Sequence, residues 1–130
     1  MACLVGNRVL MKRKSQKVSI LGTIYKIEYR TEQEDPILSD CFGCVTDEFN
    51  MIVIDNLRLD PKWKDETDLY INSRIKKTLR HEVIHAFLKE SGLDHSANSV
   101  DNWAKNEEMV DWLALQSPKI FKVYKELKCL

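Results

Sequence analysis

The sequence predicts an α+β domain, with a small antiparallel sheet of three or four strands over residues 17–55 followed by three main helices. Two patterns carry this expectation. Up to residue 55 apolar and polar residues alternate or form short β-branched runs, whereas from residue 69 apolar residues recur three and four apart. Gly22, Pro36, Pro61, Gly92 and Pro118 fall at the joints between the segments so defined, where chain breakers belong.

The stretch KVSILGTIYKIEYR (17–30) alternates on either side of Leu21-Gly22 and is rich in β-branched residues and Tyr, which predicts a hairpin turning near Gly22. TEQEDPILSD (31–40) is charged and holds Pro36, so it reads as a loop. Cys41 to Val45 and Met51 to Ile54 read as further strands joined by a polar turn, and Leu57 to Thr67 as a polar connection with one helical turn behind Pro61. From Leu69 to Glu90 no Pro or Gly interrupts, and Ile71, Ile75, Leu79, Val83 and Phe87 repeat with helical spacing up to the stop at Ser91-Gly92. A second helix fits Val100 to Gln116, capped by Asn98 or Ser99. Ser117-Pro118 is a good cap and first-position pair for a third, carrying Ile120, Phe121, Tyr124 and Leu127.

A chain of 130 residues with 44% apolar content can build one core, and the domain is expected at 17–130, with residues 1–16 as an N-terminal extension without fixed structure. Twenty Lys plus Arg balance twenty Asp plus Glu, so no net positive field gathers phosphates and nucleic-acid binding is not expected. The basic run at Lys12, Arg13, Lys14 and Lys17 reads as a solvated arm. No run approaches the roughly twenty apolar residues of a membrane span, and the first residues carry their charges after their apolar ones, the reverse of a secretory signal. A cytoplasmic protein is expected. Cys41 and Cys44 form a single C-x-x-C; Cys3 and Cys129 lie at the two ends, so a closed four-ligand zinc site lacks its second pair and the thiols are read as reduced.

Residues 81–85 read HEVIH. At about 100° per residue His81 and His85 project from one helix face one turn apart, so both imidazoles reach a single ion. Glu82 lies beside the pair, close enough to touch a water on that ion. Thr78 and Lys89 continue the polar strip, and apolar residues cover the rest of the circumference. A catalytic zinc takes three protein ligands and leaves a fourth position for water. His95 follows Gly92, and one large class of zinc peptidases takes its third ligand from a histidine shortly after a glycine, but this chain does not resemble that class, whose Gly and His fall where Leu88 and Ser91 stand. The better source is NEEMVDWLA (106–114), in which Glu107 and Asp111 share a helix face: one carboxylate to bind the ion, the next to accept from a ligand histidine. Helix phase is not fixed to one residue, which leaves Glu108 as an alternative ligand.

HEVIH followed by NEEMVD resembles the zinc metallopeptidases that use HExxH with a downstream helical glutamate. The small size, the hairpins before the motif helix and the E-x-x-V-D-x-L-A pattern are similar to the compact ImmA/IrrE-type peptidases of phages and mobile elements, over about residues 17–127. The resemblance implies a minimal zincin-like metalloprotease fold, Zn2+ held by His81, His85 and Glu107, Glu82 as general base and Asp111 supporting a ligand histidine. It departs at Val110 and Asp111, where the family helix carries Ala and Asn. A helix-turn-helix reader and a long helical extension, present in some members, are not seen here.

The implied activity is zinc-dependent endopeptidase cleavage of an extended polypeptide, a transcriptional repressor being the target the family suggests. His95 and Tyr124 are candidate oxyanion donors by residue type alone. In the resembled enzymes an edge strand pairs with substrate main chain, which Met51 to Ile54 or the strand around Cys44 would do here. Two alternatives come from other classes: a metal-binding module without catalysis, which has no use for Glu82, and a protein-interaction domain in which Cys41 and Cys44 carry a structural metal or a dimer contact.

Overall fold

The computed structural model describes residues 3–5, 8–10, 13–46, 48–95 and 102–130. Strands β1 (Cys3–Val5) and β2 (Arg8–Leu10) pair antiparallel within the segment expected as an extension. Strands β3 (Gln16–Ile20) and β4 (Thr23–Arg30) form the expected hairpin, closed by Leu21 at φ 49° and Gly22 at φ 88°. Two successive positive φ values match the twist of a two-residue hairpin, and Gly22 takes the second without steric cost. Alternation along β4 buries Tyr25, Ile27 and Tyr29 on one face.

The sheet is mixed, not antiparallel as expected. Its order is β3-β4-β6-β5, where β5 is Gly43–Val45 and β6 is Met51–Asp55, and β4 pairs parallel with β6 while β5 pairs antiparallel with it. Residues 31–42, with a 3-10 turn at Pro36–Ser39, carry the chain past the position of β6, so that the tight return from β5 inserts β6 at the centre. Composition explains this placement. Ile52, Val53 and Ile54 are fully buried, a run without alternation that suits a strand covered on both faces. Met51 to Ile54 therefore has no free edge, and β5 forms the margin of the sheet.

Helix α1 (Asp68–Glu90) is capped by the Thr67 side chain, which accepts from Tyr70 N, and ends at Ser91 before Gly92 at φ 83°. Ile71, Ile75 and Ala86 pack it on Tyr25, Ile27, Tyr29, Ile52 and Ile54. The expected helix from Val100 starts later: α2 (Glu107–Glu126) is capped by Asn106, which accepts from Met109 N at 2.8 Å, after a 3-10 turn at Trp103–Lys105. The caps expected at Asn98 or Ser99, and Val100 itself, lie outside the described residues. Leu88 of α1 meets Ala104 and Val110 in a second small core.

Among the described residues there are two α-helices where three were expected, because α2 runs through Ser117-Pro118. Pro118 has no N–H to give the carbonyl of Ala114, which would leave that carbonyl orphaned. Arg80 of α1 donates its Nε to Ala114 O at 2.5 Å, supplying the lost bond from a neighbouring helix. A helix satisfied in this way need not stop at its proline. Beyond Pro118, Phe121, Val123, Tyr124 and Leu127 are exposed. No helix among the described residues is long and apolar enough to cross a membrane.

Candidate metal centre

Helix α1 lays its polar strip along a cleft of about 720 Å³, whose lining includes Thr78, His81, Glu82, His85 and Lys89. The opposite wall is Cys41 to Val45, and the first two turns of α2 contribute Glu107 and Asp111. Cap and helix phase together put Glu107 at the N-terminal end of α2, pointing back at α1. His81 Nε2 lies 3.0 Å from Glu107 Oε2, and His85 Nε2 lies 3.1 Å from Oε1 and 3.2 Å from Oε2 of the same carboxylate. The two Nε2 atoms are 3.1 Å apart.

Those distances have a chemical meaning once the imidazole proton is assigned. His81 Nδ1 faces Asp111 Oδ1 at 3.4 Å. Asp111 is held below the usual carboxylate range, chiefly by the hydrogen bond from Lys77 Nζ, so it stays an acceptor. With its proton on Nδ1, directed at Asp111, His81 would present the Nε2 lone pair as a ligand. Nε2 itself points at a carboxylate oxygen and at the other imidazole's Nε2. With Nε2 protonated the two rings donate to Glu107; with Nε2 unprotonated the same atoms converge as ligands around a cation. Donor atoms of a tetrahedral zinc at 2.0–2.1 Å stand roughly 3.3 Å apart, close to the spacings found. His81, His85 and Glu107 offer ligand atoms that all lie within 4.8 Å of one another. The donor set, two imidazoles and one carboxylate with Asp111 behind the first, fits a zinc ion with an open position.

Glu82 is 6% exposed and brings Oε1 to 4.0 Å from His81 Nε2. Burial raises its pKa to about 7, and the charge of Glu107 adds to the effect. Gly43 packs against Glu82: a Cβ there would lie 3.0 Å from Glu82 Cγ, from Thr78 Cγ2 and from Val53 O, tighter than most Cβ contacts, so α1 and β5 approach closely at this glycine.

Neither a family model, nor a curated protein, nor a solved structure matches this chain.

Of the sequence-derived residues, His81, Glu82, His85, Glu107 and Asp111 come together at the cleft. Glu108 is exposed and belongs neither to the ligand cluster nor to the cleft wall. His95 is exposed and does not line the cleft, although its neighbour Asp94 does. Tyr124 follows Glu107 by seventeen residues on one helix, roughly 25 Å along the axis. It packs edge-on against Phe121, away from the centre. Cys41 and Cys44 are free thiols in the cleft wall, and burial pushes both upward, Cys44 to about 11. Thiols so protonated are poor nucleophiles. The sequence reading missed Gly43, Lys77 and Arg74. A glycine between two cysteines on a short strand was the available signal for close packing, whereas the two cations gave none.

Proposed function

We propose that this protein is a zinc-dependent endopeptidase acting on an extended polypeptide. The observation that carries the reading is the convergence of His81 Nε2, His85 Nε2 and the Glu107 carboxylate beside the buried carboxylate of Glu82. Two imidazoles and a carboxylate with a fourth position open are the donor set of a hydrolytic zinc rather than of a closed structural one. Zinc, when bound there, supplies a water of lowered pKa and polarises the carbonyl of the scissile bond. Glu82 accepts the proton of the attacking water on its carboxylate and hands it to the leaving amine. Asp111, fixed by Lys77, holds the His81 ring with Nδ1 protonated, so that Nε2 remains a ligand.

Substrate main chain has a natural partner in β5, whose outer edge pairs with no strand among the described residues and which walls the cleft opposite Glu82. The likeness of HEVIH and NEEMVD to the ImmA/IrrE-type peptidases supports the same activity and suggests a transcriptional repressor as target. Free thiols at Cys41, Cys44 and Cys129 fit a reducing compartment, and we place the reaction in the cytoplasm.

The test pairs metal content with cleavage. Zinc-loaded wild type is expected to bind one zinc per chain and to cut members of a mixed peptide library followed by mass spectrometry. Glu82→Gln should keep the zinc and lose about 10²-fold or more in rate. Zinc bound without any cleavage by wild type would leave a non-catalytic metal module; zinc content insensitive to His81→Ala would end the metal assignment itself.

A further inference from the structure

Arg74 precedes His81 by two turns on the same face of α1, roughly 10 Å along the axis. It lines the same cleft, half-buried, with its guanidinium carbon 4.2 Å from the centroid of the Phe42 ring. The other two cations of the α1 strip are engaged: Lys77 with Asp111 at 3.0 Å and Lys89 with the carbonyl of Thr46 at 2.7 Å. The Arg74 guanidinium has no carboxylate partner among the described residues, and its Nε is buried without any hydrogen-bond partner. Stacking on Phe42 stiffens the side chain and leaves its planar donors unspent.

The wall opposite gives the cleft a direction. Phe42 stands against Arg74, Gly43 against Thr78 and Glu82, and Thr46 against Lys89, so β5 and α1 run the same way. A peptide pairing antiparallel with β5 has its N-terminal part near Lys89 and its C-terminal part near Arg74. Antiparallel pairing is the slightly stronger mode, and at about 3.4 Å per residue three extended residues span the distance from the histidines to Arg74.

We propose that Arg74 is a carboxylate anchor, taking by paired N–H donation a carboxylate that the substrate carries about three residues to the C-terminal side of the bond cleaved. This rests on the peptidase reading above and adds to it a substrate class: peptides with a C-terminal carboxylate, or an Asp or Glu side chain, at that place. A charge-assisted, two-pronged contact of a half-buried guanidinium is selective for carboxylate over amide.

The experiment uses three hydroxamate-capped tripeptides on the zinc-loaded full chain, with binding measured by titration calorimetry. One ends in a free carboxylate, one in a carboxamide, and one in a carboxamide with Asp as its last residue. The hydroxamate engages the metal in every case, so its binding reports the metal centre independently of Arg74. The free acid is expected to bind wild type at least tenfold more tightly than the amide, and Arg74→Gln to erase that difference while leaving the amide's affinity unchanged. Arg74→Lys, which keeps the charge and loses the fork, should restore only part of the preference. Preference shared by the Asp peptide assigns an acidic side chain, and preference confined to the free acid assigns a chain terminus. Equal binding of all three peptides to wild type, or a preference that survives Arg74→Gln, overturns the anchor with the metal reading intact. Failure of every hydroxamate to bind overturns both.

Discussion

Gly43 on β5 and Glu82 on α1 are packed so closely that a Cβ on Gly43 would meet Glu82 Cγ at 3.0 Å, with Thr78 Cγ2 and Val53 O equally near. Side-chain ends can yield, but the carbonyl of a buried central strand cannot without disturbing the sheet. Gly43→Ala is therefore expected to cost about 1–3 kcal/mol in urea unfolding at unchanged m-value, and to displace Glu82, so that cleavage falls more than zinc content does. A variant as stable and as active as wild type would show that helix and strand have slack between them.

Arg80 and Pro118 are coupled through a third group, the carbonyl of Ala114. In wild type that carbonyl has Arg80 as its donor because Pro118 has no N–H. Arg80→Met should cost about 1–2 kcal/mol, within the range for a half-buried hydrogen bond from a charged group. In a Pro118→Ala background the new N–H of residue 118 closes the helical bond, and the cost of Arg80→Met should fall. The double-mutant cycle reads the coupling directly, and equal costs in both backgrounds would show that the contact contributes nothing.

The same pair shows where legibility stopped. A proline after a serine is the local signature of a helix start, and no rule of spacing reveals that a side chain thirty-odd residues earlier will supply its missing bond. Strand direction was hidden for a related reason: alternation in β4 fixes which face is buried, yet parallel and antiparallel partners bury the same face. The unbroken Ile52, Val53 and Ile54 was the one local hint of a central strand. By contrast His81, Glu82 and His85 were legible because one helix carries them, and helical geometry is set by spacing alone. Glu107 and Asp111 were legible as a pair for the same reason, but choosing Glu107 over Glu108 needed the Asn106 cap, which fixes the phase of α2. Arg74 gave no signal, since an unpartnered charge can be recognised only when its surroundings are known.

Asp55 is 4% exposed with Oδ1 unpartnered, and burial raises its pKa to about 6. The unfolded value is about 3.9, so the folded state holds the extra proton between those two pH values. Stability from this group is greatest below about pH 4, declines as pH rises to about 6, and is flat beyond, with a total loss of about 2–3 kcal/mol. Asp55→Asn removes the titration. Its stability relative to wild type should rise by that amount between pH 4 and pH 7, and a difference independent of pH would refute the buried charge.

Zinc should stabilise the fold by mass action, since the ligand cluster joins α1 to α2 only in the native chain. At a free concentration one hundred times the dissociation constant the gain is about 2.7 kcal/mol, seen as a rise in Tm that a chelator reverses. Glu107→Ala should abolish most of the rise and Glu108→Ala none of it, because both carboxylates are exposed but only that of Glu107 lies in the ligand cluster. Equal loss in the two variants would mean that acidic charge at the α2 terminus, and not ligation, produces the effect.

Asp111 sits between Lys77 Nζ at 3.0 Å and His81 Nδ1 at 3.4 Å, so its role can be separated into two contacts. On the proposed zinc reading, accepting the His81 Nδ1 proton would fix which ring nitrogen is free to bind metal; as the partner of Lys77, Asp111 ties α2 to α1. Asp111→Asn should lower zinc affinity about 10–100-fold by leaving the tautomer of His81 unfixed. Lys77→Met, which keeps the carboxylate and removes only the surface ion pair, should change stability by about 1 kcal/mol or less. It should change zinc affinity far less than Asp111→Asn does. Competition with a chromogenic chelator measures both, and a loss of affinity as large in Lys77→Met as in Asp111→Asn would show that Asp111 acts by holding the helices together and not by orienting the histidine.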